Sequence, residues 1–494
     1  MKKFDIAIIG SGPAGFSAAM KALDYEKHVC IIEAGQIGGA GIMNGALVSK
    51  TLWELSADYA VTSQVNRGYR ASGLTVDFNE VRKTVIQAGK ERQYQMLSQI
   101  ETFSRNHYSK GSLTLIYGHA RFIDSHTIEV KKDQTVEIIT AEFFIIATGA
   151  KPRELEGIQI DGETFFDSDT IINLTKFPER LIIVGSGIIG CEFATIFSNF
   201  KQTEVHLLDR TSRVIPFEDD DLSDYVSKNL EKNGVKIHYQ AQLRTIRKKN
   251  NYLEVVLDYD DNHSKVIEVD AALISVGRIP NTKDLGLENI GLPKDHDLYI
   301  KTNEHCIADH IQYKHIFAAG DITGHGQLYN IAQTQGRYIV DSIYGNQTEK
   351  ISYKNMSTLM FFKPEVAAVG LNEKQLQQKG TPYKVAFYSN ALVSRTIAMR
   401  NTDGFVKIII GNDGENKILG MRAAGPQASA YIVAVAHLID EKNGLNEVFK
   451  TVHPHPGVTE GLEECLRLFN NSSVFKPLAF PEHIKYWEWN PDLT

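Results

Sequence analysis

Residues Phe4–Ala34 read FDIAIIGSGPAGFSAAMKALDYEKHVCIIEA, and residues Arg180–Arg210 read RLIIVGSGIIGCEFATIFSNFKQTEVHLLDR. Each stretch has an apolar run, a Gly-x-Gly-x-x-Gly turn, a helical segment, a second apolar run and then an acid. The first copy uses Gly10, Gly12 and Gly15 and ends at Glu33; the second uses Gly185, Gly187 and Gly190 and ends at Asp209. The acids follow the first glycines by 23 and 24 positions. This is the pattern of a strand–turn–helix–strand unit that binds a dinucleotide. The first glycine permits the tight turn, the second lets a pyrophosphate approach the backbone, and the third lets helix and strand pack closely. The helix N-terminus then offers partial positive charge to the phosphates. Glu33 and Asp209 are placed to accept a hydrogen bond from a ribose hydroxyl. A carboxylate repels a 2′-phosphate, so Asp209 favours NAD(H) over NADP(H). Arg210, directly after it, is the side chain through which a 2′-phosphate could still be met.

At 494 residues the chain exceeds one ordinary core, and about three domains are expected. It is 43% hydrophobic and 23% charged, with a net charge of −7. That charge gives no case for nucleic acid or an acidic membrane surface. The opening MKKFDIAIIG holds Asp5 and runs into a glycine turn, which reads as a first strand and not as a leader. No run of about twenty apolar residues predicts a membrane span. Cys30, Cys191, Cys306 and Cys465 are far apart and show neither metal-like nor disulfide-framework spacing. The reading is a cytoplasmic protein with reduced thiols and no metal.

Three more apolar strands end on glycine: FFIIATGAKPRE with Thr148 and Gly149, AALISVGRIPNT with Gly277, and KHIFAAGDITG with Gly320 and Asp321. In this order, these motifs and the two glycine turns resemble the pyridine nucleotide–disulfide reductase family, which includes lipoamide dehydrogenase and the soluble transhydrogenase. The resemblance runs from Lys3 to about Leu468. It implies an α/β fold of two Rossmann-like dinucleotide-binding domains plus a C-terminal α+β dimerisation domain. FAD would occupy the first turn, with Gly10, Gly12, Gly15, Glu33, Lys50, Thr148, Gly149 and Asp321 around it. NAD(H) would occupy the second, with Gly185, Gly187, Gly190, Asp209 and Gly277. The implied domains are a discontinuous FAD domain at 1–153 and 275–348, an NAD domain at 154–274 and an interface domain at 351–470. Residues 471–494 form a tail expected to pack on the surface, although docking to a partner is equally open. The family's interface domain also implies a homodimer with shared active sites. The segment GQLYNIAQTQGRYIVDSIYG reads as a helix whose N-terminus would face the flavin. The acidic run in PFEDDDLSDYV reads as the N-cap and first turn of a helix.

The resemblance makes residues 36–50, QIGGAGIMNGALVSK, decisive. The family has Gly-Gly-x-Cys-x-x-x-x-Cys-x-x-Ser-Lys here, and the two cysteines relay electrons from flavin to a disulfide substrate. Gly38, Gly39, Ser49 and Lys50 keep this frame, but Gly41 and Ala46 stand at the cysteine positions and Val48 at the usual proline. Two sulfurs fewer should leave space beside the flavin. Lys50 and Glu192 match the lysine and glutamate that pair near the reactive flavin nitrogen. In TVHPHPGVTEGLEE, His455 and Glu460 match the family's base and its orienting acid, with Gly457 where the family has threonine. A carboxylate on one imidazole nitrogen fixes the tautomer and raises the basicity of the other.

The expected activity is therefore an FAD-dependent NAD(P)H oxidoreductase. Its acceptor would be a small molecule other than a disulfide: a quinone, a second nicotinamide, a dye or oxygen. Two alternatives stay open: a flavoprotein that no longer turns over and acts as a binding or structural subunit, and a lipoamide-dehydrogenase-like enzyme using an external thiol.

Overall fold

The structure is a computed structural model that describes residues 2–64, 68–69, 71–105, 110–293, 298–309, 313–347, 349–442 and 444–493. The chain forms two compact units, Met1–Pro178 with Asp270–Ile351, and Glu179–Val269 with Ser352–Thr494. The expected domain boundary at 348 lies outside the described residues.

The first unit is built on a sheet whose parallel strands run Ser112–Tyr117, His28–Glu33, Lys2–Ile9 and Thr135–Ile146, with Ile316–Ala318 also parallel to Thr135–Ile146. Thr127–Lys132 and His119–Asp124 extend it as an antiparallel meander. Successive side chains on a strand face opposite sides, and here both sides are covered. Ile6 and Ile8 pack with Ala14, Ala18 and Ala22 of the helix Pro13–Asp24. Ala7 and Ile9 pack on the other face with Phe122, Ile128 and Phe144. The helix is rich in alanine where it meets the sheet, so its backbone approaches closely. The expected helix in GQLYNIAQTQGRYIVDSIYG spans Tyr329–Tyr344.

The second unit repeats the strand–turn–helix–strand design. Arg180–Val184, Glu204–Leu208 and Lys236–His238 are parallel, and the helix Ile188–Phe200 links the first two. An antiparallel layer of Ala241–Lys248, Leu253–Tyr259 and Ser264–Val269 follows. The interface region forms an antiparallel sheet, among the described residues in the order Thr358–Met360, Val366–Gly370, Ile418–Ala424, Phe405–Gly411, Tyr383–Ser389 and Ile484–Trp489. The chain is thus α/β, with two Rossmann-like domains and an α+β domain.

Two features of this unit go beyond the sequence reading. The tail supplies the edge strand Ile484–Trp489, antiparallel to Tyr383–Ser389. Trp489 stacks on Tyr383, and the Trp487 indole N–H donates to Glu373 at 2.8 Å. The acidic run does begin a helix, Asp220–Lys232, behind Asp219. Yet Asp219 accepts from the backbone N–H groups of Glu373 and Lys374, and with Asp221 and Glu373 it surrounds the fully buried ammonium of Lys407. Burial opposes charge on Lys407, but the three carboxylates more than compensate and raise its pKa. An isolated buried ammonium would be costly; a paired one is tolerated. The lone lysine in the apolar strand FVKIIIG was the signal for this cluster.

Candidate functional site

The first glycine turn shows all three glycine roles. Gly10 has φ +108°, and its N–H donates to the Ile32 carbonyl at 2.8 Å. A Cβ at Gly15 would lie 2.0 Å from the Gly10 carbonyl oxygen, so only glycine allows that approach of helix and strand. A Cβ at Gly12 would meet no protein atom within 4 Å. The helix Pro13–Asp24 starts behind Gly12 without a side-chain cap, leaving its first N–H groups toward that open side. Glu33 is held by residue 11, which the pattern leaves unspecified. Ser11 donates to Glu33 Oε2 from its backbone N–H at 2.9 Å and its hydroxyl at 2.5 Å, and Gly35 N–H donates to Oε1 at 2.6 Å.

The second turn repeats this in detail. Ser186 donates to Asp209 Oδ2 from its N–H at 2.8 Å and its hydroxyl at 2.6 Å. Thr211 donates to Oδ1 from its N–H at 2.9 Å and its hydroxyl at 2.8 Å. Burial pushes the Asp209 carboxyl up, but these hydrogen bonds outweigh it and hold the pKa below the usual carboxylate range. Gly187 precedes the helix Ile188–Phe200, again without a side-chain cap and with open space where a Cβ would stand. The visible signal for Ser11 and Ser186 was the Gly-Ser-Gly of both copies.

The other cofactor positions of the first unit lie at strand ends. The Thr148 hydroxyl donates to the Asn281 carbonyl at 2.9 Å, and Asn281 returns a bond to the Thr148 carbonyl at 2.9 Å. Gly149 and Gly277 both face open space. Arg278, next to Gly277, pairs with Asp169 at 3.4 Å, while its Nε is buried with no partner among the described residues. Burial pushes the Asp321 carboxyl up, with Arg278 opposing. Gly320 N–H donates to Gln335 Oε1 at 2.7 Å, tying this turn to the helix Tyr329–Tyr344. An open pyrophosphate path, uncapped helix starts, anchored ribose-side carboxylates and an orphaned Arg278 Nε fit a flavin dinucleotide on the first turn. The second turn fits a pyridine nucleotide by its uncapped helix start, the open space at Gly187 and the anchored Asp209.

The glycine loop is a short turn, Gly39–Gly41, followed by the helix Ala46–Thr62. Ala46 is the first residue of that helix, and Lys50 lies one turn in, with its ammonium 3.4 Å from the Ser49 hydroxyl. The space expected at Gly41 is taken. A Cβ there would stand 2.6 Å from Pro13 Cγ and 3.0 Å from Tyr329 Cδ2. A proline ring and a tyrosine ring have closed over the position, so removing the side chain does not leave a void. The four cysteines are buried, and no two of them form a disulfide. Burial pushes the thiols of Cys30, Cys191 and Cys465 far up, which suppresses the reactive thiolate.

The second unit carries the remaining candidates. Glu192 is buried and accepts from the Phe361 backbone N–H at 3.1 Å. His455 Nδ1 lies 2.6 Å from Glu460 Oε1, and Gly457 N–H donates to Oε2 at 3.0 Å. The pair forms although glycine replaces the family threonine, because the backbone of that same glycine holds the carboxylate. The His455 side chain is 70% exposed, so its other nitrogen is accessible. Glu192, Asp209, His455 and Glu460 thus belong to the second unit, and Lys50, Glu33 and Asp321 to the first.

Two dinucleotide turns, an acid anchored at each and an interface sheet define a two-cofactor pyridine nucleotide oxidoreductase. The chain belongs to the pyridine nucleotide-disulphide oxidoreductases: that family's model matches residues 4–336, and its dimerisation domain matches residues 356–466. The soluble pyridine nucleotide transhydrogenase of Chromohalobacter salexigens is 33% identical over 92% of this chain and 96% of its own. The dihydrolipoyl dehydrogenase of Geobacillus stearothermophilus is 28% identical over 92% and 93%. Among solved structures, the Cu(II) complex of the HOCl-induced flavoprotein disulfide reductase RclA from Escherichia coli superposes with a TM-score of 0.82. It is 26% identical, over 95% of this chain and 100% of that one. FAD and NAD(P)H are the cofactors of this family. Among the described residues no helix is long and apolar enough to cross a membrane.

Proposed function

We propose that the protein is an FAD-dependent NAD(P)H oxidoreductase that passes electrons to a small acceptor other than a disulfide. The observation that carries this is the loop: Gly41 and Ala46 hold no sulfur, and all four cysteines are buried elsewhere. FAD, when bound, supplies two-electron chemistry between a reduced nicotinamide and a second acceptor. The chain's own residues do the rest. Ser186 and Thr211 keep Asp209 charged, which favours NAD(H) by repelling a 2′-phosphate. Lys50, at the position of the family's flavin-side lysine, holds positive charge beside the flavin ring. His455, oriented by Glu460, hands a proton to the reduced acceptor in a homodimer. A cavity of about 310 Å³ in the first unit, within the range of small-molecule sites, receives the acceptor. Its apolar wall includes Phe16, Met20 and Tyr329, and its polar lining includes Arg92 and Arg337.

Anaerobic titration of the purified holoprotein with NADH tests this. The expected result is bleaching of the flavin at two electrons per FAD, without a long-wavelength thiolate–flavin band. Absence of bleaching with both NADH and NADPH would leave a binding subunit instead. Reduction of lipoamide by the NADH-reduced protein would overturn the non-disulfide acceptor.

A further inference from the structure

We infer that Tyr329 determines the acceptor class: its ring takes the volume that a side chain at position 41 would need and walls the adjoining cavity. The inference rests on the oxidoreductase reading above and deepens it. Pro13 is the rigid half of the closure, because it is the first residue of its helix and its ring locks φ. Tyr329 is the adaptable half. It opens the helix Tyr329–Tyr344, is only partly buried, and its hydroxyl has no hydrogen-bond partner among the described residues. Packing alone therefore sets the ring against Gly41. A residue-41 Cβ would stand 2.6 Å from Pro13 Cγ and 3.0 Å from Tyr329 Cδ2, so it has no place unless the Pro13 ring shifts, and Tyr329 closes the second side.

The same ring lines the cavity together with Pro13 and Ile42, the residue after Gly41. A flat acceptor can stack on a tyrosine face, an arrangement that stabilises it beyond the apolar area it buries. A disulfide substrate needs an attacking thiol at this turn, and the Pro13 and Tyr329 rings fill the place where such a thiol would grow from the backbone. Replacing the two glycine-loop residues by cysteine is therefore insufficient to restore a redox disulfide; both rings must also give way.

The test uses the full-length holoprotein in two arms. In the first, Gly41→Cys/Ala46→Cys is made in a Pro13→Ala background and compared with the same protein carrying Tyr329→Ala as well, by free-thiol titration after air oxidation. With Tyr329 present the cysteines are expected to stay mostly as free thiols, and with Tyr329→Ala to form the disulfide. Equal disulfide content in the two proteins, whether high or low, overturns the inference. In the second arm, kcat/KM for a soluble quinone is measured for Tyr329→Ala and Tyr329→Phe. A loss of roughly fivefold in the alanine variant, restored by phenylalanine, is expected for a stacking wall. Equal values in alanine and phenylalanine variants remove the ring from acceptor selection. The thiol arm requires no turnover, so it still reads out if NADH fails to reduce the flavin, and the two failures are distinguishable.

Discussion

The turns at Gly10 and Gly185, which we propose serve different cofactors, are near copies at the level of single hydrogen bonds. In both, a serine between two glycines binds the terminal acid through its N–H and its hydroxyl. In both, the middle glycine faces open space. They differ in what lies over them. The first turn is covered by the glycine loop: Gly38 N–H donates to the Ser11 hydroxyl at 3.3 Å, and a Cβ at Gly39 would stand 3.5 Å from Gly12 Cα. Over the second, among the described residues, it is the Ser186 carbonyl that is held, accepting from Ile215 N–H at 2.9 Å. We read the turn itself as the phosphate site and the segments draped over it as what selects the cofactor.

The largest effect should come from filling the two open glycines. Both have extended φ and ψ, so a side chain strains neither backbone. Gly12→Val should fold and lose FAD affinity on the order of a hundredfold, because several charge-assisted phosphate bonds go together. Gly187→Val should keep its flavin and lose bleaching by NADH. Flavin content by absorbance and an anaerobic NADH titration check both. Loss of flavin from both variants breaks the division between the turns. Gly15→Ala is the contrast: with a Cβ 2.0 Å from a carbonyl oxygen it should cost about 3 kcal/mol of stability, read by thermal melting.

A smaller effect comes from the serines. Ser186→Ala removes a hydroxyl donor from a charged acid and should raise KM for NADH about tenfold, while Ser11→Ala should weaken FAD retention by a similar factor. Stopped-flow reduction and equilibrium dialysis separate the two. If Ser11→Ala raised KM for NADH instead, the parallel would be wrong.

A difference of another kind is a pH response at the second turn. Beneath it, His206 and His238 share a hydrogen bond at 2.9 Å, His206 reaches Glu204 at 2.9 Å and His238 reaches the Tyr259 hydroxyl at 2.6 Å. Asp209 N–H donates to the His238 carbonyl. Burial lowers both histidine pKa values, that of His238 from 6.5 to about 4. A depressed folded value means that the unfolded chain binds the proton first. The stabilisation is complete above pH 6.5 and is lost as the pH falls toward 4, by up to about 3 kcal/mol for His238. Thermal melting across that window should show the loss, and His238→Gln should flatten it. An unchanged slope in the variant would assign the acid sensitivity elsewhere.

Much of the site was legible in residue order. Glycine spacing and the acid that follows report backbone needs spanning a few tens of residues, and the His455–Glu460 pair lies within a single short segment. Ser11 and Ser186 were visible but carried no distinguishing chemistry until their hydroxyls were seen on the acids. Lys407 and its three carboxylates come from chain segments far apart, and so does the edge strand Ile484–Trp489.

The loop at Gly41 shows the boundary most sharply. From the sequence alone it follows that no sulfur stands there, because identity is a local property. Whether that absence opens a space is a question of excluded volume, and volume is contested by whatever the fold brings near. Here Pro13 and Tyr329, one close in sequence and one nearly three hundred residues away, converge on the glycine and close the gap. Only the tertiary structure could decide that, because close packing is set by neighbours in space and not by neighbours along the chain.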